Sequence, residues 1–271
     1  MVAQESRKPK KGLYFMTEHS TLGQVVWHDL FTPDIEESKR FYGELFGFEY
    51  LVEHATDFTW HDGAGDFTLM QANGEAAHSG MVSTPERKRS YWLAYIAVAD
   101  VDKTAKKAGD VGMSVLRDPF DVPGVGRSCI LEDAHGARIC PFVASHHYPP
   151  PKGVFVWEEL MAPELNAVTS IYCNVFDWKT EDDGEASDAH ANVFCAVNGD
   201  AVAGALKVEK TRSYPAGWHP FLAVENLDIA CKKAATLGAT MLADPIQLDA
   251  RRSRQLCTDP LGAVFGLTGA A

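Results

Sequence analysis

The sequence predicts an α+β protein of two tandem halves, each half a pair of βαβββ units. Three observations carry that reading. First, the chain repeats itself: VWHDLFTPDIEESKRFYGELFGFEY (26–50) aligns with VWEELMAPELNAVTSIYCNVFDWKT (156–180), setting Trp27 on Trp157, Asp29 on Glu159 and Tyr42 on Tyr172. YWLAYIAVADVDKTAKKAGDVG (91–112) aligns with GWHPFLAVENLDIACKKAATLG (217–238), and LEDAHGA (131–137) with CTDPLGA (257–263). Matches that share order and a nearly constant offset mark two homologous halves. Second, within each half a strand, a helix and short hairpin strands follow one another twice. Third, the Pro-rich segment Ser145-His146-His147-Tyr148-Pro149-Pro150-Pro151 lies between the halves and favours an extended linker. The expected boundaries are a loose extension over 1–22, domains over 23–145 and 153–271, and a linker over 146–152.

Each element has a local reason. VVWHDLF alternates as a strand does. Asp34 is placed to cap the next helix, with Glu37 three residues on completing a capping-box signal. Phe41, Tyr42 and Leu45 form the helix's apolar stripe, and Gly47 ends it. The segment DFTWH (57–61), the turn Asp62-Gly63-Ala64-Gly65, the strand DFTLMQ and the turn Asn73-Gly74 read as hairpins. WLAYIAV, a helix over about 101–109 from Asp100, and strands near 113–117, 127–132 and 137–143 repeat the plan.

Composition narrows the function classes. Apolar residues make up 46% and charged residues 23%, as in globular proteins. No apolar run approaches the roughly 18–20 residues of a membrane span, and no signal peptide is evident. A net charge of −12 repels a phosphate backbone, so nucleic acid is not an expected partner. Six scattered cysteines without a C-x-x-C pair read as reduced, buried thiols. The cytoplasm is the expected compartment. The acidic run 181–185 reads as a solvated loop.

The Trp-x-acid-Leu opening of each half, VADVD or VENLD midway and D-x-x-G-A near the end together resemble the vicinal oxygen chelate superfamily. That superfamily contains glyoxalases, bleomycin-resistance proteins and extradiol dioxygenases, and the likeness is greatest to two-domain, hydroxylase-like glyoxalase-family members. The resemblance covers residues 24–269 and implies that each pair of modules curls a mixed sheet around a cup-shaped ligand cavity. It also implies three metal-holding positions per half. Counted onto this chain they fall on Trp27, Leu93 and Cys140, and on Trp157, His219 and Gly266. A divalent ion usually needs three good protein ligands, so no cofactor is expected, with a metal held by displaced residues as the alternative.

Strand alternation selects the cup-facing neighbours. Asp29 and Phe31 should share a face with Trp27, and Glu159 with Trp157. Tyr95 and Phe221 should face inward beside Leu93 and His219, and Arg138 beside Cys140. His219, Glu159 and Asp29 are the candidate catalytic groups, with Glu159 near enough to His219 to orient it. A purely structural role for each is equally open, because any buried carboxylate or imidazole needs partners. Trp27, Phe31, Tyr95, Arg127, Cys140, Trp157 and Phe221 are the candidate ligand-binding residues. Arg127 either anchors an anionic ligand or bonds Asp133. His28 and His61 lie outside the inward register and read as edge or surface.

The expected function is binding a small organic molecule in an aromatic-lined cup, with metal-independent acid–base turnover possible. Sequestration of an antibiotic or metabolite without turnover is one alternative, and a metal-dependent lyase or dioxygenase is another. The paired halves would act as an internal pseudo-dimer in a monomer, or assemble further as a homodimer.

Overall fold

The structure, a computed structural model, describes residues 21–60, 63–72, 77–151, 153–182, 191–208, 215–242, 244–247 and 252–270. Residues 1–20 of the N-terminal extension, His61, Asp62, the Asn73-Gly74 turn and most of the acidic run lie outside the described residues.

The first half runs β1 (Val25–Thr32), α1 (Ile35–Phe46), β2 (Glu49–Ala55), β3 (Gly65–Gln71), β4 (Ala77–Ser83), β5 (Tyr91–Ala97), α2 (Val101–Asp110), β6 (Ser114–Val122), β7 (Gly126–Glu132) and β8 (Arg138–Ala144). The second repeats it as β9 (Phe155–Ala162), α3 (Leu165–Phe176), β10 (Lys179–Asp182), β11 (Ala191–Cys195), β12 (Ala201–Lys207), β13 (Gly217–Asn226), α4 (Leu227–Thr236), β14 (Thr240–Met241), β15 (Ile246–Gln247), β16 (Arg252–Thr258) and β17 (Val264–Ala270). Each half forms one mixed sheet. The orders are β2-β3-β4-β1-β5-β8-β7-β6 and β10-β11-β12-β9-β13-β17-β16-β14, with β15 paired to β16. The opening strands of the two units in a half, β1 with β5 and β9 with β13, run antiparallel at the sheet centre. The α+β plan of paired βαβββ units is therefore present. No described helix is long and apolar enough to cross a membrane.

Helix α1 starts where Asp34 Oδ1 accepts from the amides of Glu36 and Glu37, and it stops at Gly47, whose φ of 74° suits a residue without Cβ. The capping box is only half formed, because Glu37 pairs with Arg40 instead of reaching back to the cap. The hairpin reading also needs correction. The strand before DFTLMQ is Glu49–Ala55, not DFTWH; Asp57 to Trp60 form a turn that buries Phe58 inward. The strand escaped notice because its apolar residues Leu51 and Val52 are exposed at the sheet edge.

Each helix packs against one from the other half, α1 on α4 and α2 on α3. One core joins Leu30, Phe41 and Tyr42 to Leu222, Ala234 and Phe265. The other joins Ile96, Ala105 and Leu131 to Leu160, Tyr172 and Trp218. The motif D-x-x-G-A locks this arrangement. Asp259 Oδ1 accepts from the amides of Leu261 and Ala263, and its Oδ2 accepts from the Tyr42 hydroxyl of the opposite half at 3.1 Å. Asp133 does the same with the amides of His135 and Ala137 and with Tyr172 at 3.2 Å.

His28 corrects the sequence reading more sharply. It does face away from the cup, but it is buried, not on the surface. Its Nε2 lies 2.9 Å from Glu158 Oε2, and its ring stacks on Phe155 at 4.3 Å. The repeat aligns His28 with Glu158, so equivalent positions of the two halves meet each other, as residues beside a two-fold axis do.

Candidate functional site

The helix-free face of each sheet forms a cup. In the N-terminal cup Phe31, Val82, Leu93, Tyr95, Cys140 and Phe142 pack with Trp27, Trp60 and Tyr91. Among the described residues its one buried carboxylate is Asp29, 3% exposed. Period two sets Trp27 and Asp29 on one face, and the indole Nε1 donates to Asp29 Oδ1 at 2.8 Å. The Tyr95 hydroxyl, from the paired strand β5, donates to Oδ2 at 2.6 Å. Space for the carboxyl comes from Gly80 on β4, where a Cβ would collide with Asp29 and Phe67. Burial raises the Asp29 carboxyl to about 6, against the downward pull of the Tyr95 and Trp27 hydrogen bonds.

The C-terminal cup repeats the motif with a different partner. Trp157 Nε1 donates to Glu159 Oε2 at 2.9 Å, over Gly204, whose Cβ would approach that oxygen to 2.7 Å. The position of Tyr95 is Phe221 here, which has no hydroxyl, and Arg254 Nη1 donates to Glu159 Oε2 at 2.8 Å instead. Ser128 occupies the position equivalent to Arg254 in the N-terminal half and bonds the Pro141 carbonyl. One acid is thus neutralised by a guanidinium. The other has no Lys or Arg partner among the described residues.

His219 pairs directly with Glu159 across β9 and β13, but its Nε2 hydrogen bond runs to the Pro215 carbonyl at 2.9 Å. The imidazole–carboxylate dyad expected from the sequence is not the bond it forms. Burial lowers its pKa to about 4, so it is neutral at pH 7. Cys140 is fully buried, and burial holds its thiol well above the usual range, which suits a wall residue. Arg127 does not bond Asp133. It faces α2, forked onto Asp102 at 2.7 Å by two bonds, and also reaches Asp121. Alternation explains this, since Cys129 on the same face packs in the helical core. Phe31 stacks on Tyr91, and Arg138 pairs with Glu132.

The implied metal positions do not make a metal site. Trp27, Leu93 and Cys140 offer one buried thiol. Trp157, His219 and Gly266 offer one imidazole, and the Phe221 ring fills the space a side chain at Gly266 would need. Among the described residues no three His, Cys, Asp or Glu side chains gather to hold an ion.

Three residues escaped the sequence reading. Glu158 was detectable, because it aligns with His28. Arg254 was detectable by alternation from Leu256 in the cup. Arg117 carries no sequence signal: it lies over Phe120 at 3.6 Å and Trp60 at 5.2 Å, beside a concavity of about 430 Å³. A second concavity of about 450 Å³ lies between the halves, lined among others by Trp27, His28, His78, Trp157 and Glu158.

Comparison with known proteins agrees with this architecture. The family model for the Glyoxalase/Bleomycin resistance protein/Dioxygenase superfamily matches residues 21–140, and a Glyoxalase-like domain model matches residues 157–268. The Mycobacterium tuberculosis protein named "Putative glyoxylase CFP32" is 29% identical over 252 residues, spanning 90% of this chain and 94% of its own. The anthracycline biosynthesis protein DnrV of Streptomyces peucetius is 25% identical over 263 residues, spanning 90% and 92%. Among solved structures, the Mn(II)-bound glyoxalase of Novosphingobium aromaticivorans is similar with TM-score 0.59 and 17% identity, over 92% of this chain and 82% of that one. The 2,2',3-trihydroxybiphenyl 1,2-dioxygenase of Sphingomonas wittichii gives 0.60 and 14%, over 92% and 91%.

Proposed function

Because the chain belongs to the glyoxalase/bleomycin resistance protein/dioxygenase superfamily, we propose that its N-terminal cup binds a small aromatic or carbonyl-bearing molecule and transforms it by acid–base chemistry at Asp29. The observation that carries this is the Asp29 carboxyl itself, buried in an aromatic cup and held by Tyr95 and Trp27, with no Lys or Arg partner among the described residues. A carboxyl raised to about 6 both accepts and releases protons near neutrality. The hydroxyl and indole donors orient it and stabilise its anion. Each oxygen keeps a lone pair for a substrate proton.

On this reading Trp27, Phe31, Tyr95 and Cys140 are the ligand wall. Trp157 and Phe221 wall the second cup, where Glu159 is committed to Arg254 and His219 is a neutral, bonded ring. The chemistry is proposed without a divalent ion, on the ground of the donor set at both metal positions.

Phenylpyruvate, whose enolisation needs only proton transfer next to a carbonyl, is a suitable probe. The protein should accelerate its keto–enol exchange, with a rate rising as pH passes about 6. Asp29→Asn should lower the rate by roughly 10²–10⁴-fold, while Glu159→Gln changes it less than tenfold. Full activity in Asp29→Asn would end this assignment. The sequestering alternative is favoured by the burial of Asp29 beneath the cup's own aromatic rings. It predicts tryptophan quenching by bound probe and recovery of the probe unchanged.

A further inference from the structure

We infer that Arg117 is an anion anchor at the mouth of the N-terminal cup, and that the ligand is a planar aromatic molecule bearing a carboxylate. This deepens the preceding proposal and rests on its choice of cup. Four arginines are paired with carboxylates: Arg40 with Glu37, Arg127 with Asp102, Arg138 with Glu132 and Arg254 with Glu159, whereas Arg87 and Arg89 are exposed to water. Arg117 is half-buried and pairs with no carboxylate among the described residues. Its Nη2 donates to the Thr59 carbonyl at 2.7 Å, and its Cζ lies over the Phe120 ring at 3.6 Å and the Trp60 ring at 5.2 Å. That is one of five donors, and the ring contacts together with the Thr59 bond hold the fork in place.

A guanidinium removed from water without an anion is costly. Removal from water is the main influence on it here, and it lies near Tyr95 and Cys140. These are cup-floor residues, and Tyr95 holds Asp29. The cavity of about 430 Å³ beside Arg117 is lined by Phe58 and Trp60, which also belong to the aromatic wall of the cup. A flat ring entering there meets aromatic faces while its carboxylate meets the fork. Two acids share the rim. Asp121 is bonded to Arg127, and Asp57 is exposed to screening water. The aligned position of the second half is not an arginine, because SVLRDP (114–119) aligns with TMLADP (240–245), setting Ala243 on Arg117.

The test compares benzoate with its neutral isostere benzamide by tryptophan fluorescence on the full chain, at pH 7 and low salt. Benzoate should bind roughly tenfold to a hundredfold more tightly than benzamide. Arg117→Gln should remove that preference while leaving benzamide binding unchanged, and Arg117→Lys should restore only part of it. Circular dichroism on both variants checks folding. Equal binding of the two probes to the wild type, or a preference that survives in Arg117→Gln, overturns the anchor and leaves the Asp29 proposal to its own assay. A preference abolished by Arg254→Gln instead places the ligand in the other cup and overturns both.

Discussion

At the residue scale, two buried groups act on stability in opposite senses. Asp29 has a folded pKa near 6 against about 4 unfolded, so the folded chain holds its proton more tightly. Its contribution is present below pH 4 and is lost as pH rises through 6, worth at most about 3 kcal/mol. His219 is lowered to about 4 from 6.5. Folding then favours its neutral form, and stability falls as pH drops from 6.5 towards 4, by a similar amount of about 3 kcal/mol. In thermal melts from pH 4 to 8, Asp29→Asn should lessen the loss between about pH 4 and 6, and His219→Gln should lessen the loss below pH 6.5. Parallel curves for wild type and either variant would contradict the corresponding shift. Alternation along β1 was enough to set Trp27 and Asp29 on one face. It could not show what Asp29 lacks, because that depends on Ser128 standing where the other half has Arg254. Arg117 was illegible for a similar reason: its neighbours Trp60 and Thr59 come from a turn 58 residues away.

At the element scale, the acids depend on bare strands beside them. Gly80 and Gly204 face Asp29 and Glu159 across parallel pairs. Adding a methyl group at either position pushes into a carboxylate that an indole already holds. Gly80→Ala and Gly204→Ala should each cost about 1–3 kcal/mol, measured by urea unfolding, and should loosen the Trp–acid bond. A neutral substitution would mean that the strands have slack that the packing does not show. The central strands and helices were legible because their periodicity matches their burial. The strand Glu49–Ala55 was not, since at a sheet edge alternation no longer tracks a core. The cap at Asp34 was legible from composition, but the second half of the capping box was lost to a stronger partner, Arg40.

At the scale of the whole molecule, the two cores each take helices from both halves. Urea unfolding should therefore show one cooperative transition, detected together by tryptophan fluorescence and circular dichroism. Tyr42→Phe should lower its free energy by about 1–2 kcal/mol, because Asp259 and Trp92 both lose a partner. Two separated transitions would contradict shared cores. Glu158→Ala should also cost about 1–3 kcal/mol, by leaving the buried His28 Nε2 without its hydrogen-bond partner. The duplication was plain in the sequence. Which halves' helices would touch was not, because one aligned repeat is compatible with several ways of docking.

The His28–Glu158 contact bears on the chain's history. In an assembly of two identical single-half chains, the residue at this place would face its own copy, imidazole on imidazole or carboxylate on carboxylate. A buried carboxylate pair repels, and an imidazole pair lacks an acid to hold its proton. Covalent joining of the halves lifts that constraint, since each copy of the position can then mutate alone. An acid against a base at this point is a departure from symmetry open only to a tandem chain, and it orients the two halves by making them unlike.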